Sequence, residues 1–134
     1  MINRQRAIEF LRFCGVGSSG VAVNLGAYYA LTRAAALSIE LAAPIAIELS
    51  VLWNFRLNDT WTFVARQTEG RLFARLARFH AVSLGAGLLN YVILLVLASA
   101  GWWDVSANLI GIGVAAVMKF AINSSWTWRE QEVR

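Results

Sequence analysis

This chain has little with which to do catalysis or hold a metal. Of its 134 residues one is cysteine, one histidine and one proline. The lone thiol, Cys14, excludes an intrachain disulfide and says nothing of redox compartment. No nucleophile stands beside a base, no glycine loop is built to cradle phosphate, and no His/Cys cluster has ligand spacing. No catalytic residue, cofactor or metal is therefore expected, and the chain reads as a non-enzyme. Charge is scarce as well. Charged residues make up 15%, and none lies between Phe13 and Thr32 or between Ala81 and Gly101. A soluble domain carries about 25%. No aromatic-plus-basic ladder is present, so nucleic acid is excluded as a partner.

What fills the space is apolar. Hydrophobic residues make up 58% and the mean hydropathy is +0.55. A membrane span needs about 20 such residues. Four stretches qualify, at 13–32, 38–57, 79–100 and 105–124. The expected fold class is an all-α integral membrane protein with four transmembrane helices. The first run, with Arg4, Arg6 and Arg12 before it and Ala34-Ala35-Ala36 after it, has the look of a secretory signal. It is long for one, and its pattern returns later in the chain, so it is expected to belong to the fold.

Sidedness follows from the basic residues. Eleven border the N-terminus, the middle loop and the C-terminus, while Arg33 alone lies at a hairpin tip. Basic residues favour the cytoplasmic side, which places both termini and the middle loop there. The net charge of +4 is a consequence of this bias.

The strongest internal signal is duplication. Asn58-Asp59-Thr60-Trp61-Thr62-Phe63 returns as Asn123-Ser124-Ser125-Trp126-Thr127-Trp128, offset by 65 positions. Arg12-Phe13 with Asn24 likewise returns as Arg78-Phe79 with Asn90. Residues 1–134 thus read as a single domain of two repeats, about 10–63 and about 76–128, each a helical hairpin. Both hairpins enter from the same side, which makes the repeat parallel. Trp61, Trp126 and Trp128 are expected as interface anchors on the cytoplasmic side, with Trp102 and Trp103 outside. Residues 1–12 read as a short amphipathic helix on the cytoplasmic surface, with Ile2, Ala7, Ile8 and Leu11 against Arg4, Arg6 and Glu9. Residues 64–78 fit either a second such helix or a solvated linker. Pro44 is expected to kink or loosen the second span.

Polar groups within the spans are the functional candidates. Glu48 sits at mid-span, where an ionised carboxylate costs a few kcal/mol or more. It is either a hydrogen-bonded structural residue or a titrating group facing a polar cavity. Asn24 and Asn90 share its depth and complete a candidate buried polar path. Arg56 and Lys119, near the inner headgroup plane, suit a lipid phosphate if they do not simply snorkel. His80 enters at the same level. Asn54, Asn58 and Trp61 fall on one face of a continuous helix, as do Lys119, Asn123 and Trp126. These asparagines either cap helices or join the cations. The lipid-phosphate and sugar candidates are thus Asn54, Arg56, Asn58, Lys119, Asn123 and His80. The glycines and serines of the first span allow close helix approach.

RFCGVGSSGVAVNLGAYYALT, WNFRLNDTWTF, RFHAVSLGAGLLNY and KFAINSSWTW together resemble the GtrA family of small four-span membrane proteins, over residues 10–128. The resemblance implies a translocase, or flippase, of a polyprenyl-phosphate-linked sugar in cell-surface polysaccharide synthesis, in a bacterial cytoplasmic membrane. It also implies a partner glycosyltransferase. The alternative is a non-transporting membrane partner that anchors or organises such a glycosyltransferase. Membrane lipids would be the other partners, and four helices enclose so little volume that a homo-oligomer is expected. No ATP site is present, so transport would be downhill or ion-coupled. The chain departs from the family pattern at Asp59 and Ser124, where a basic residue is usual, and at Lys119 in place of the motif's first Asn. A proton-coupled exporter of the small multidrug resistance kind also has four spans and a membrane Glu. It has no claim on the Asn-Trp motifs, and its usual critical Glu lies in the first span.

Overall fold

The computed structural model describes residues 3–66 and 71–129. Ile2, residues 67–70 of the middle loop and Arg134 lie outside the described residues. The chain divides into two units, Met1–Ala65 and Arg66–Arg134.

In unit 1, helix α1 spans Arg4–Tyr29. Asn3 starts it, its side chain accepting from the Gln5 N–H at 3.3 Å, so that one of the exposed amides of the first turn gains a partner. At 1.5 Å per residue this helix is about 39 Å long. The amphipathic stretch expected as a separate surface helix is instead the first turns of α1. No glycine, proline or cap interrupts it, so the helix simply continues into the apolar run. Helix α2 spans Ile39–Leu57 and runs through Pro44. The tip between them contains a π turn at Ala30–Ala34 and Ala36 at a left-handed φ of 51°. In unit 2, helix α3 spans Leu72–Ser99 and helix α4 spans Asp104–Ile122, joined through Gly101 at a φ of 91°. Residues 72–78 of the middle loop thus belong to α3.

Each unit is an antiparallel hairpin, as its cross-helix pairs require. In unit 1, Arg12 meets Trp61 while Ser50 donates to the Gly20 carbonyl at 2.7 Å and Trp53 to the Ser19 hydroxyl at 2.9 Å. In unit 2, Arg78 meets Trp126 and Asn90 meets Asn108. The buried seam is narrow: Phe13, Val16, Ala42, Ala46, Phe55 and Phe63 in one unit, and Phe79, Val82, Ala86, Ala107, Ala115 and Trp128 in the other. Alanines keep the helices close. Large apolar side chains such as Leu25, Leu84, Leu88 and Leu109 point away from the seam of their own hairpin. Aromatics fill the motif-bearing end of each seam, but farther along it small residues lie inside and large apolar ones outside, the distribution of helices that pack in lipid, where burying leucine against leucine offers no gain over a lipid tail.

All elements among the described residues are helical. Leu72–Ser99 and Asp104–Thr127 are each long and apolar enough to cross a membrane. The first two expected spans lie on α1 and α2, whose composition is less apolar. Gly15, Gly17, Ser18, Ser19, Gly20 and Asn24 dilute α1, and Glu40, Pro44 and Glu48 dilute α2.

Candidate functional site

The repeated motif closes each hairpin with a π turn, at Asn58–Thr62 and at Asn123–Thr127. The Phe63 N–H reaches back five residues to the Asn58 carbonyl at 2.9 Å, and the Trp128 N–H to the Asn123 carbonyl at 2.9 Å. Widening the last turn displaces carbonyls from the ordinary helical ladder, and hydroxyls take them up. Thr60 donates to the Arg56 carbonyl at 2.7 Å, and Ser125 to the Ala121 carbonyl at 2.7 Å. These are equivalent positions of the repeat, so a hydroxyl residue stands at both for one local reason.

The wider turn swings the following residues onto the first helix of the hairpin. Phe63 packs on Phe13 with ring centroids 6.4 Å apart, and Trp128 packs edge-on against Phe79 at 5.7 Å. Beside each pair an arginine clamps the chain. Arg12 lies 5.4 Å from the Trp61 ring centroid and Arg78 lies 5.7 Å from that of Trp126. Each also donates to the backbone carbonyl of its tryptophan at 3.3 Å. The Arg-Phe and Asn-x-x-Trp-Thr motifs are therefore two halves of one clasp, built twice.

This geometry revises several expectations. The trios headed by Asn54 and Lys119 do not share a continuous helical face, because a π turn begins at the middle residue of each, Asn58 and Asn123. Trp61 and Trp126 remain 48% and 47% exposed, whereas Trp128, expected as an interface anchor, is wholly buried against Phe79. Asn58 and Asn123, expected to meet lipid phosphate, are buried in the turns. Asn123 Oδ1 accepts from the Thr127 hydroxyl at 2.7 Å.

The other candidates fall in varied surroundings. Asn54 lies with its carboxamide against the backbone of Gly20, and Asn90 does the same to Gly111. Asn90 also donates to Asn108 at 3.4 Å. Asn24 is half-buried. Arg56 is exposed on α2. Lys119 turns its ammonium toward the Phe79 ring, 4.6 Å from the centroid. His80 Nδ1 lies 2.9 Å from the carbonyl of Leu76, one turn back on its own helix. Glu48 is exposed on α2, away from the seam of its own hairpin. Among the described residues the buried carboxylate is Glu9, 4% exposed, which the amphipathic pattern of residues 1–12 places on the polar face of a surface helix.

A family model described as the GtrA/DPMS transmembrane domain matches residues 12–128, and the chain belongs to that family. It is an all-helical membrane protein. It is also 35% identical over 120 residues to a protein named dolichol-phosphate mannosyltransferase from Pyrococcus furiosus. That match takes in 90% of this chain and 34% of the relative, so the chain spans about a third of the length of the curated relative it matches. The expectation of a non-enzyme is corrected by this relationship: the similarity is to part of a protein named as an enzyme. Absence of a nucleophile–base set in a membrane domain is no guide to the chemistry of a chain in which that domain occurs.

Proposed function

We propose that this chain is the membrane unit of a system that handles a polyprenyl-phosphate-linked sugar, acting with a glycosyl-transferring domain at the cytoplasmic face. The carrying observation is the match to a third of a dolichol-phosphate mannosyltransferase together with the transmembrane-domain family. In this reading the chain crosses the membrane four times with both termini cytoplasmic, in accord with the distribution of basic residues. It would sit in a bacterial cytoplasmic membrane as a multi-pass protein and a homo-oligomer. The motif-bearing ends of the two hairpins, where Arg12, Arg56, Arg78 and Lys119 gather the positive charge, would face the leaflet in which the lipid-linked sugar is made. Arg suits phosphate with its fork of donors, and Lys with a compact charge.

Translocation of the same lipid to the outer leaflet is a second reading. Two observations favour it: the Asn90–Asn108 pair at 3.4 Å within the apolar helices of unit 2, and the exposed carboxylate-bearing Glu48 on α2. A polar headgroup crossing the bilayer needs such hydrogen-bonding groups at depth.

One reconstitution addresses both. Purified protein in liposomes, with labelled polyprenyl-phosphate hexose, is assayed for leaflet exchange, and then for glycosyl transfer with a nucleotide-sugar donor and a polyprenyl-phosphate glycosyltransferase domain. Transfer raised by this chain without leaflet exchange supports the first reading. Exchange that depends on the protein and is lost in Glu48→Gln or Asn90→Leu supports the second. Neither effect, with several hexose headgroups, would overturn both.

A further inference from the structure

Unit 1 has a cavity at its motif-bearing end that the clasp leaves open. Its volume is about 440 Å³, within the range of small-ligand pockets. Asn3, Arg4, Gln5, Glu9 and Arg12 line it from the first turns of α1, and Thr62 from the π turn. Arg4, Gln5 and the start of a 26-residue helix bring positive charge and helix-start amides to one side. Two further features show that this is more than a helix end.

The first is Thr62. It is 3% exposed, and its hydroxyl has no hydrogen-bond partner among the described residues. Its repeat equivalent, Thr127, is closed off: that hydroxyl donates to Asn123 at 2.7 Å. The Arg66 guanidinium moreover covers the turn of unit 2, donating to the Ser124 carbonyl at 2.6 Å and the Trp128 carbonyl at 3.2 Å. The threonine hydroxyl of this turn is thus bonded in one unit and left unused beside a cavity in the other, while each turn also keeps one unpartnered asparagine atom, Asn58 Oδ1 and Asn123 Nδ2. A buried hydroxyl without a partner is costly, and a ligand oxygen would relieve it.

The second is Glu9, 4% exposed on the cavity wall, where the repeat equivalent is Arg75. Arginines alone would suit any anion. A buried carboxylate beside them selects an anion that also carries hydroxyl donors.

We propose that this cavity binds a phosphosugar headgroup. The phosphate oxygens accept from the Arg4 and Arg12 guanidinium groups and from the Thr62 hydroxyl, and a sugar hydroxyl donates to the Glu9 carboxylate. Arg12 spends one donor on the Trp61 carbonyl and keeps others for the wall it lines. The assignment rests on the reading of the chain as a polyprenyl-phosphate sugar protein and names where that headgroup is held.

The test is titration calorimetry on the full chain in phosphatidylcholine nanodiscs. The probes are polyprenyl-phosphate hexose, bare polyprenyl phosphate and soluble hexose 1-phosphate. Arg4→Ala and Thr62→Val are expected to weaken the lipid-linked hexose by about tenfold each, the loss of one hydrogen bond to a charged group. Glu9→Gln is expected to weaken the lipid-linked hexose while leaving bare polyprenyl phosphate unchanged. Thr127→Val, in unit 2, is expected to bind as wild type does. Since Arg4 is exposed, its replacement leaves the fold intact even if Glu9→Gln does not. Comparable binding of soluble hexose 1-phosphate, with the same variant losses, supports the cavity and assigns the headgroup alone as its ligand. Tight binding of the lipid-linked hexose that no variant disturbs overturns the cavity while leaving the function reading standing. No binding of any probe by the wild type overturns both.

Discussion

The Arg12 guanidinium lies 5.4 Å from the centroid of the Trp61 ring and donates to the Trp61 carbonyl at 3.3 Å. One side chain therefore grips both the ring and the backbone of a residue 49 positions away, fixing where the hairpin's second strand of chain turns back. A lysine retains charge but has no planar fork to serve both partners. Arg12→Lys is expected to destabilise by about 1 kcal/mol, from the lost hydrogen bond and weaker cation–π contact. Arg78→Lys is expected to cost about the same, since its contacts to Trp126 have the same geometry. Denaturant unfolding in mild detergent measures both. A difference of several-fold between the two would show that the clasps are not equivalent.

Three motif tryptophans should separate into two classes. Trp128 is wholly buried on Phe79, while Trp61 and Trp126 are about half exposed. Trp128→Ala is expected to cost about 3–5 kcal/mol as a large-to-small core substitution. Trp61→Ala and Trp126→Ala would each cost about 1 kcal/mol, chiefly the cation–π contact. Thermal unfolding of the three variants, in the same detergent, checks the ranking. Equal effects would mean that Trp128 anchors at an interface after all.

The outer tips make a contrast in backbone strain. Ala36 and Gly101 occupy equivalent places in the repeat, both with positive φ, at 51° and 91°. An alanine there places its Cβ against the neighbouring carbonyl, and a glycine does not. Ala36→Gly is expected to stabilise by about 0.5–1 kcal/mol and Gly101→Ala to destabilise by about 1 kcal/mol or more. Shifts of melting temperature in opposite directions are the expected readout.

How much of this was legible in the sequence depends on the range of the interaction. The duplication, the hairpin in each half and the apolar character follow from spacing and composition, which the chain displays openly. The π turns were not legible. Five residues are too few to betray a change from i→i+4 to i→i+5 bonding, and Asn58-to-Thr62 reads equally well as an ordinary helix end. Nor was the burial of Trp128. Tryptophan after an apolar run suits an aromatic belt, and only its distant contact with Phe79 decides otherwise. Glu9 was hidden by a sound local rule: on an amphipathic stretch, a charge opposite Ile8 and Leu11 reads as solvated. Thr62, which lines the same cavity, comes from the far end of the unit.

The two units solve one packing problem in opposite ways, and that yields the sharpest prediction. In unit 1 the Asn54 carboxamide rests on Gly20, where any Cβ would overlap it. The repeat equivalents are Lys119 and Ala86, and there the alanine Cβ occupies the space while the lysine turns aside to Phe79. Farther along the hairpins the arrangement is reversed. Asn90 rests on Gly111 in unit 2, and the equivalents in unit 1 are Asn24 and Ala46. Glycine thus stands opposite asparagine wherever the amide lies flat against the neighbouring backbone. Gly20→Ala and Gly111→Ala are each expected to cost about 1–3 kcal/mol through overpacking. Gly17→Ala, which meets open space, is expected to be neutral or slightly stabilising, because alanine is the better helix former. Adding Asn54→Ala to Gly20→Ala removes the clashing amide and should restore most of the loss, giving a coupling of about 1 kcal/mol or more in a double-mutant cycle. Additive effects of those two substitutions would mean that the glycine is kept for something other than its asparagine.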